Sequence, residues 1–414
     1  MEAAGMKPKK IALMCGKMNG GGAERVAGML SRRLESLYDV YVMLLDIKDI
    51  TYDHGGNLIP IMPQNNTTPV LFFIFRCVRK SLVISARLFG TNNVETIFTK
   101  WQKRRHGIDC CISFLEHYNC TNLRSRGREK VIISVRNTLS AMIDIPLQEE
   151  YLGNVRGLYD QADLIVACSE GVRLDLTQNL GVPKEKCVTI HNFCDVERIR
   201  ALAGKPLDAE MDRFFSGHRL IVTAGRLEPQ KNQEKLLYDF ALVYQAYPDV
   251  RLVVIGSGTW RERLGALATQ LHIADVVLFL PYRENPFVVY TKASMFVLSS
   301  WHEGYPNVLL EAMACGLPTV SVDCPSGPRE IIAGRSDYQN PINDYEICER
   351  GILVSASNDE MTGKTHYLAD AMKCLLEDRM LSEKISREAR QYTDTYPNDH
   401  ILEQWIDAIE ARQR

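Results

Sequence analysis

The segment SSWHEGYPNVLLEAMACGLPTVSVDCPSGPREII carries two carboxylates, Glu303 and Glu311, with seven residues between them. A carboxylate accepts paired hydrogen bonds from neighbouring hydroxyls, so this pair suits a ligand rich in hydroxyl groups, such as a sugar. Upstream, TAGRLEPQKNQEKLL places Gly225 and Arg226 at the end of a strand-like run and Lys231 just before a helix-like one. Two cations beside a helix N-terminus suit a diphosphate by point charge and by dipole, and can stabilise it as a leaving group. A third signal is the run Gly20, Gly21, Gly22 in MCGKMNGGGAERVAGML. Glycine lets backbone N–H groups come close to a phosphate or sugar, and this run has neither the GK[ST] of a P-loop nor the GxGxxG of a dinucleotide site.

Each signal has a plainer reading: Glu303 as a helix cap and Glu311 as a solvated residue, the two cations as incidental loop charges, the glycines as a flexible turn. The surrounding pattern weighs against this for the carboxylate pair. A strand ends near Ser299, and Pro306 sits where a first helical turn should start, because its missing N–H costs nothing there. The helix then runs to Ala314, and Gly316 ends it. Glu303 is thus expected on the loop before the helix and Glu311 within it, both facing a ligand, with bare helix-start N–H groups available to an anion.

The elements that must position these residues alternate between strand and helix, which predicts an α/β fold with parallel sheets covered on both faces. Strand candidates in the first half are Ile11–Cys15, Val40–Asp46, Ile108–Phe114, Lys130–Val135, Leu164–Ser169 and Val188–Asn192, with a helix over Ala23–Ser36. The stretch from Arg198 to His218 is poor in strand signals and reads as a linker. A second series follows: strand Leu220–Gly225, helix Gln233–Ala246 with Asn232 as N-cap, strand Arg251–Gly256, helix Trp260–Leu271, then strands Val276–Leu280, Met295–Ser299 and Thr319–Asp323. An amphipathic helix, Asp399–Arg412, closes the chain. The expected division is a Rossmann-like domain over 1–197, a linker over 198–218, a second Rossmann-like domain over 219–392, and a C-terminal helix over 393–414 crossing back to the first. Two doubly wound domains would face each other across a cleft at the carboxyl ends of their sheets, where ligands bind in such folds.

On these motifs the sequence resembles family 4 of the retaining, GT-B-fold glycosyltransferases, most sharply over residues 220 to 334. The resemblance extends over nearly the whole chain and implies the two-domain GT-B architecture, with an acceptor-binding first domain and a nucleotide-sugar-binding second domain. It implies that Glu303 contacts the donor sugar and Glu311 the ribose hydroxyls. Backbone amides of Gly304, Tyr305, Asn307 and Val308 would lie near the sugar and diphosphate, Pro306 having none to give. Arg226 and Lys231 match the family's diphosphate clamp beside Gly225. The GGAER loop, through Gly21 and Gly22, would face the donor from the first domain, with Glu24 and Arg25 in either a structural or an acceptor-side role. His117 is the best match in position for a histidine near the transferred sugar. Arg136 and Asn137 are expected to line the acceptor pocket, Tyr282 and Arg283 to offer backbone contacts to the base, and Glu330 to support the site from behind. Tyr305, Asn307 and the loop Cys324 to Gly327 are candidates for sugar choice. The implied chemistry is transfer of a hexose or N-acetylhexosamine with retention, from a UDP-sugar in preference to GDP-mannose. The leaving phosphate would take the acceptor's proton on the same face.

Composition narrows the classes. The chain has 414 residues with 49 basic and 51 acidic side chains, a formal net charge of −2, which argues against general nucleic-acid binding. Its 12 cysteines show no CxxC pairing or zinc-ligand spacing and read as reduced thiols of a cytoplasmic protein. No DxD-type metal motif stands at a strand end, so no metal and no cofactor beyond the nucleotide-sugar co-substrate are expected. No run is apolar and long enough to span a bilayer, and the N-terminus does not read as a signal peptide. Nothing in the sequence calls for more than a monomer or weak oligomer.

Pro69 to Gly90 is punctuated like a helix with Arg76, Arg79, Lys80 and Arg87 on one face and Leu71, Phe75, Val78, Leu82, Ala86 and Phe89 on the other. Lys100, Lys103, Arg104 and Arg105 extend the basic region, against the single acid Glu95. A basic amphipathic helix of this kind binds anionic membrane surfaces, with a helix packed on its own core as the plainer reading. The resemblance favours a peripheral location on the cytoplasmic face of the membrane and a polyprenyl-diphosphate-linked glycan acceptor, in cell-surface polysaccharide or lipid-linked oligosaccharide synthesis. Competing readings are a glycoside hydrolase built on Glu303 and Glu311, a nucleotide-sugar epimerase of similar architecture, and a non-catalytic nucleotide-sugar binder. A weaker rival is half of a nicotinamide-dinucleotide fingerprint in VVIGSGTWRERL, where Gly256 and Gly258 fit but Arg261 holds the third glycine position.

Overall fold

The structure is a computed structural model that describes residues 8–48, 50–63, 92–141, 148–207 and 209–411. The chain packs as two compact units, one of Met1–Cys168, Arg173–Phe193 and Asp399–Arg414, the other of Ser169–Val172 and Cys194–Asn398.

Seven parallel strands form the sheet of the first unit: β1 (Lys10–Cys15), β2 (Asp39–Leu44), β3 (Asn57–Pro60), β4 (Cys110–Phe114), β5 (Lys130–Val135), β6 (Leu164–Ala167) and β7 (Cys187–Thr189). Their order is β3-β2-β1-β4-β5-β6-β7, so the winding reverses between β1 and β4. The central strands read as unbroken apolar runs because both faces are covered by helices; every residue of β4 and β5 is buried. The terminal helix Asn398–Glu410 packs on this unit from Asp399 onward, with Trp405 fully buried 6.3 Å from the Phe114 ring. Lys130 Nζ donates to the carbonyls of Ala408 at 2.6 Å and Ala411 at 2.5 Å, so a buried cation satisfies the open end of that helix.

The second unit carries β8 (Arg219–Ala224), β9 (Val250–Ile255), β10 (Val277–Leu280), β11 (Met295–Leu298), β12 (Thr319–Val322), β13 (Tyr345–Cys348) and β14 (Gly351–Val354). Their order is β10-β9-β8-β11-β12-β14-β13, all parallel except the edge strand β13, and here the winding reverses between β8 and β11. Leu236, Leu237 and Phe240 of the helix Gln233–Ala246 pack with Leu252, Val254, Val297 and Val320 from the sheet in its core.

Three expectations change. The stretch read as a linker holds two helices, Val196–Ala203, capped by the Asp195 carboxylate on the Arg198 N–H, and Ala209–Phe215. Asn232 does not cap the next helix with its side chain: it stands at φ 48° and its amide donates to Met361 O at 3.1 Å. β3 and β13 went unread because they are largely unburied and so weakly patterned, and the buried β14 also went unread.

Candidate active site

In doubly wound sheets the loops that leave the two strands flanking the reversal diverge to opposite faces, and ligands bind at their carboxyl ends. In the second sheet those loops carry the sequence's strongest signals. β8 hands over to Gly225 and Arg226, and β11 to Ser299–Glu303. The two loops are tied together residue by residue. Trp301 N–H donates to Gln230 O at 2.8 Å, the Gln230 amide donates to His302 O at 2.9 Å, and Ser299 Oγ donates to Lys231 O at 2.9 Å. At their centre Lys231 Nζ lies 2.6 Å from Glu303 Oε1, and the buried Ser300 Oγ donates to the same oxygen at 2.6 Å. The Lys231 and Glu303 side chains are 17% and 9% exposed, so the pair is shielded without being sealed from solvent. Arg226 Nη2 donates to Gln230 Oε1 at 3.3 Å.

Glycine is required where a third loop closes on this pair. A Cβ on Gly256, whose φ is +154°, would lie 1.9 Å from Gly225 O, and one on Gly258 would lie 2.3 Å from Leu227 O. These glycines let the end of β9 lie against the loop after β8, which explains the half-fingerprint without a dinucleotide.

Pro306 directly precedes the helix Asn307–Ala314, one residue earlier than a first-turn proline, and Glu311 is buried within that helix. Asn307 and Val308 form its first turn. Burial, with the charge of Glu311 four residues earlier, pushes the Cys315 thiol up to about 12. Ser326, itself at φ 68°, donates from Oγ to Glu303 O at 2.6 Å and Gly304 O at 3.1 Å. A Cβ on Gly327 would lie 2.5 Å from Gly304 O. The Cys324–Gly327 loop thus braces the backbone of the Glu303 loop. Tyr305 buries its side chain, with its hydroxyl 3.3 Å from that of Tyr396. Tyr282 is exposed, its N–H donating to Ser257 Oγ at 3.1 Å, and Arg283 beside it is half-buried. Glu330 accepts the Glu170 and Gly171 N–H groups, both at 3.0 Å, and the Tyr338 hydroxyl at 2.5 Å, so it anchors the segment Ser169–Val172.

In the first unit, Gly21 precedes the helix Gly22–Leu34, and a Cβ on it would meet Glu24 Oε2 at 1.9 Å, so the Glu24 carboxylate folds back over the glycine loop. His117 lies in the first turn of the helix Glu116–Arg124 with Nε2 2.7 Å from Glu95 Oε2, a hydrogen bond that raises its pKa. Arg136 bonds to Ser134 Oγ at 3.3 Å and to Asn192, and Asn137 Oδ1 accepts the Thr138 N–H at 3.0 Å.

Arg76, Arg79, Lys80 and Arg87 lie outside the described residues. Of the other basic residues in that region, Lys103 is buried and donates to Glu129 at 2.8 Å and to Asn122 at 2.6 Å, which removes it from any surface. The Arg105 guanidinium sits 4.9 Å over the Trp101 ring. No described helix is long and apolar enough to cross a membrane.

Two family models match the chain: one described as "Glycosyl transferases group 1" over residues 208–392, and one described as "Glycosyltransferase Family 4" over residues 20–198. Both matched segments are glycosyltransferase domains. Its architecture is that of GT-B glycosyltransferases: Anabaena HepE, solved in complex with UDP and glucose, superposes with a TM-score of 0.73 at 15% identity, covering 98% of this chain and 100% of that one. Among curated relatives, an N-acetylgalactosamine-N,N'-diacetylbacillosaminyl-diphospho-undecaprenol 4-alpha-N-acetylgalactosaminyltransferase of Campylobacter jejuni is 28% identical over 92% of this chain and 94% of its own length. An uncharacterized glycosyltransferase of Methanocaldococcus jannaschii is 27% identical over 61% of this chain, a match spanning 64% of that relative. This glycosyltransferase keeps a polar cluster at the β8/β11 reversal. Ser299, Ser300 and Gln230 belong to that cluster and went unnoticed in the sequence, where hydroxyl and amide residues in loops carry no distinguishing pattern; Ser326 joins it from the Cys324–Gly327 loop.

Proposed function

We propose that the chain transfers a hexose or N-acetylhexosamine from a UDP-sugar to a polyprenyl-diphosphate-linked glycan, with retention at the anomeric carbon and without a metal ion. The observation that carries this reading is the Lys231–Glu303–Ser300 group at the β8/β11 reversal, a cation and a carboxylate held in contact where nucleotides bind in doubly wound sheets. Arg226 and Lys231 hold the diphosphate and stabilise the charge that grows on it as the bond to the sugar breaks. Glu303 receives hydroxyls of the sugar and Glu311 those of the ribose. The amides of Gly304, Tyr305, Asn307 and Val308 and the loop at Tyr282 and Arg283 complete the donor site, with Gly21, Gly22 and Gly225 allowing close backbone approach. His117, Arg136 and Asn137 serve the acceptor.

In the transfer, the bond from the anomeric carbon to the diphosphate oxygen breaks and the acceptor oxygen forms its bond on the same face. The acceptor's proton passes to the departing phosphate. Anionic lipid is bound by the basic stretch carrying Arg76, Arg79, Lys80 and Arg87 on the cytoplasmic face of the membrane. The Campylobacter relative, named for a diphospho-undecaprenol-linked substrate and matched over 94% of its length, supports a lipid-linked acceptor.

The test is transfer from UDP-hexoses, UDP-N-acetylhexosamines and GDP-mannose to a synthetic polyprenyl-diphosphate-linked glycan, with chelator present. NMR of the product then gives the anomeric configuration. A retained configuration from a UDP-sugar supports the reading. Inversion, loss with chelator, or free sugar as the sole product under every donor contradicts it.

A further inference from the structure

β11 and β12 run parallel with Leu298 opposite Ser321, so the loop after β12 emerges beside the loop that carries Glu303. Asp323 directly follows β12, and Arg329 lies in the first turn of the helix Pro328–Ala333. The two pair across the turn between them, Arg329 Nε donating to Asp323 Oδ1 at 3.0 Å. Arg329 is buried, and its Nη1 donates to Asp337 O at 2.6 Å and Asn340 O at 2.9 Å. The turn Cys324–Gly327 is therefore fixed at both ends.

Within that turn Ser326 stands at φ 68°, a conformation that costs a residue with a side chain energy and persists where the surroundings impose it. Two close approaches hold it there. A Cβ on Gly171 would lie 2.6 Å from both Cα and Cβ of Ser326, and the Gly171 N–H is itself held by Glu330 at 3.0 Å. A Cβ on Gly327 would lie 2.7 Å from Pro306 Cδ and 2.9 Å from Tyr305 Cα. Ser326 is 2% exposed, and its one hydroxyl proton is shared between the Glu303 and Gly304 carbonyls as a three-centre bond. Both peptides are trans, so holding these carbonyls turns the N–H groups of Gly304 and Tyr305 away from Ser326. Glu303 is thus tethered at two points, its carbonyl by Ser326 and its carboxylate by Lys231 and Ser300.

We propose that Ser326 is a positioning residue for the donor sugar: its hydroxyl sets the backbone of Glu303 and Gly304, and through it the place of the Glu303 carboxylate. This rests on the transferase reading above, in which Glu303 receives hydroxyls of the sugar. A carboxylate fixed at both its backbone and its head meets a hydroxyl only where the geometry of a hydrogen bond is satisfied, so the tether converts a charge into a grip on one arrangement of hydroxyls. The nucleotide contacts assigned to Arg226 and Glu311 stand on other elements, the loop after β8 and the helix Asn307–Ala314. Loss of the Ser326 hydroxyl should therefore loosen the hold on the sugar and leave the hold on the nucleoside diphosphate.

The experiment compares wild type, S326A and S326G. Calorimetry gives Kd for UDP and for whichever of UDP-glucose, UDP-galactose and their N-acetyl counterparts wild type transfers; initial rates and melting temperatures are recorded on the same proteins. S326A removes the hydroxyl and keeps the strain at φ 68°, whereas S326G removes both, so S326G should melt at or above S326A. A hydrogen bond of ordinary net strength predicts kcat lowered about threefold to tenfold and the UDP-sugar Kd raised by a similar factor in both variants, with the UDP Kd moving less than about twofold. Unchanged kcat and UDP-sugar Kd in either folded variant overturn the assignment, and so does a UDP Kd that rises with the UDP-sugar Kd, the mark of a merely structural role. Losses confined to S326A trace to strain rather than to the hydroxyl and overturn it as well. A wild-type chain that neither binds nor transfers any of these UDP-sugars overturns the transferase reading itself, a failure distinct from the others.

Discussion

Replacing Lys231 with Met separates what the Lys231–Glu303 pair does for the fold from what it does for the reaction. Glu303 is 9% exposed and shares its Oε1 between Lys231 and Ser300, both at 2.6 Å. Removing the lysine takes the cation away from a shielded carboxylate to which the Ser300 hydroxyl still donates. Stranding a fully buried charge costs about 3–5 kcal/mol. The remaining Ser300 bond and the solvent that reaches Lys231 reduce this, so a loss of about 1–3 kcal/mol is expected. For a unit of this size that is a melting temperature lower by roughly 2–10 °C. The double variant K231M/E303Q removes the stranded charge as well and should recover most of the loss, because a neutral amide costs far less to bury unpaired. Activity should not recover: loss of a cation that stabilises the leaving group costs about a hundredfold to a thousandfold in kcat, and the double variant keeps that deficit. Thermal melts and initial rates on three proteins suffice. A K231M chain that melts with wild type, or a double variant no more stable than the single one, would refute the reasoning about the pair.

Further predictions concern the loops around the site. G256A should be insoluble or lose well over about 2 kcal/mol, because its Cβ would sit 1.9 Å from Gly225 O, whereas G20A, with nothing within 4 Å of its Cβ, should cost only about 1 kcal/mol for φ +68°; soluble yield and melts distinguish them. Y305F breaks the hydroxyl contact with Tyr396 and should lower stability by about 0.5–1.5 kcal/mol while leaving donor KM within about twofold, since the hydroxyl is buried away from solvent. The Glu95 hydrogen bond raises the pKa of His117, so its stabilisation is present below the unfolded value of about 6.5 and fades as pH rises through the higher folded value. The melting difference between wild type and E95Q should therefore shrink from pH 6 to pH 8.

The loops at the β8/β11 reversal were legible in the sequence because each of their devices leaves a local mark. Glu303, Pro306 and Glu311 encode a loop, a helix start and a helix face within nine consecutive positions, and Arg226 and Lys231 straddle a strand end and a helix start. The alternation of apolar runs likewise announced two doubly wound sheets. What stayed hidden is what depends on contacts distant in sequence. Nothing local says that Ser299 holds the Lys231 carbonyl, that Glu330 reaches back to Glu170 and Gly171, or that Lys103 leaves a basic run to pair with Glu129 in the interior. The short strands β3 and β13 escaped because four half-exposed residues carry too little hydrophobic pattern to read.

The central claim is that the loops after β8 and β11 hold an activated sugar through Lys231 and Glu303. Titrating wild type and the refolded-charge variant K231M/E303Q with UDP-sugars, and following the melting temperature, tests it directly. A ligand at a hundred times its dissociation constant stabilises the folded state by about 2.7 kcal/mol. The account predicts a clear upward shift for wild type with a UDP-sugar and a shift reduced to near zero at the same concentration for the variant. Equal shifts in the two proteins would contradict it.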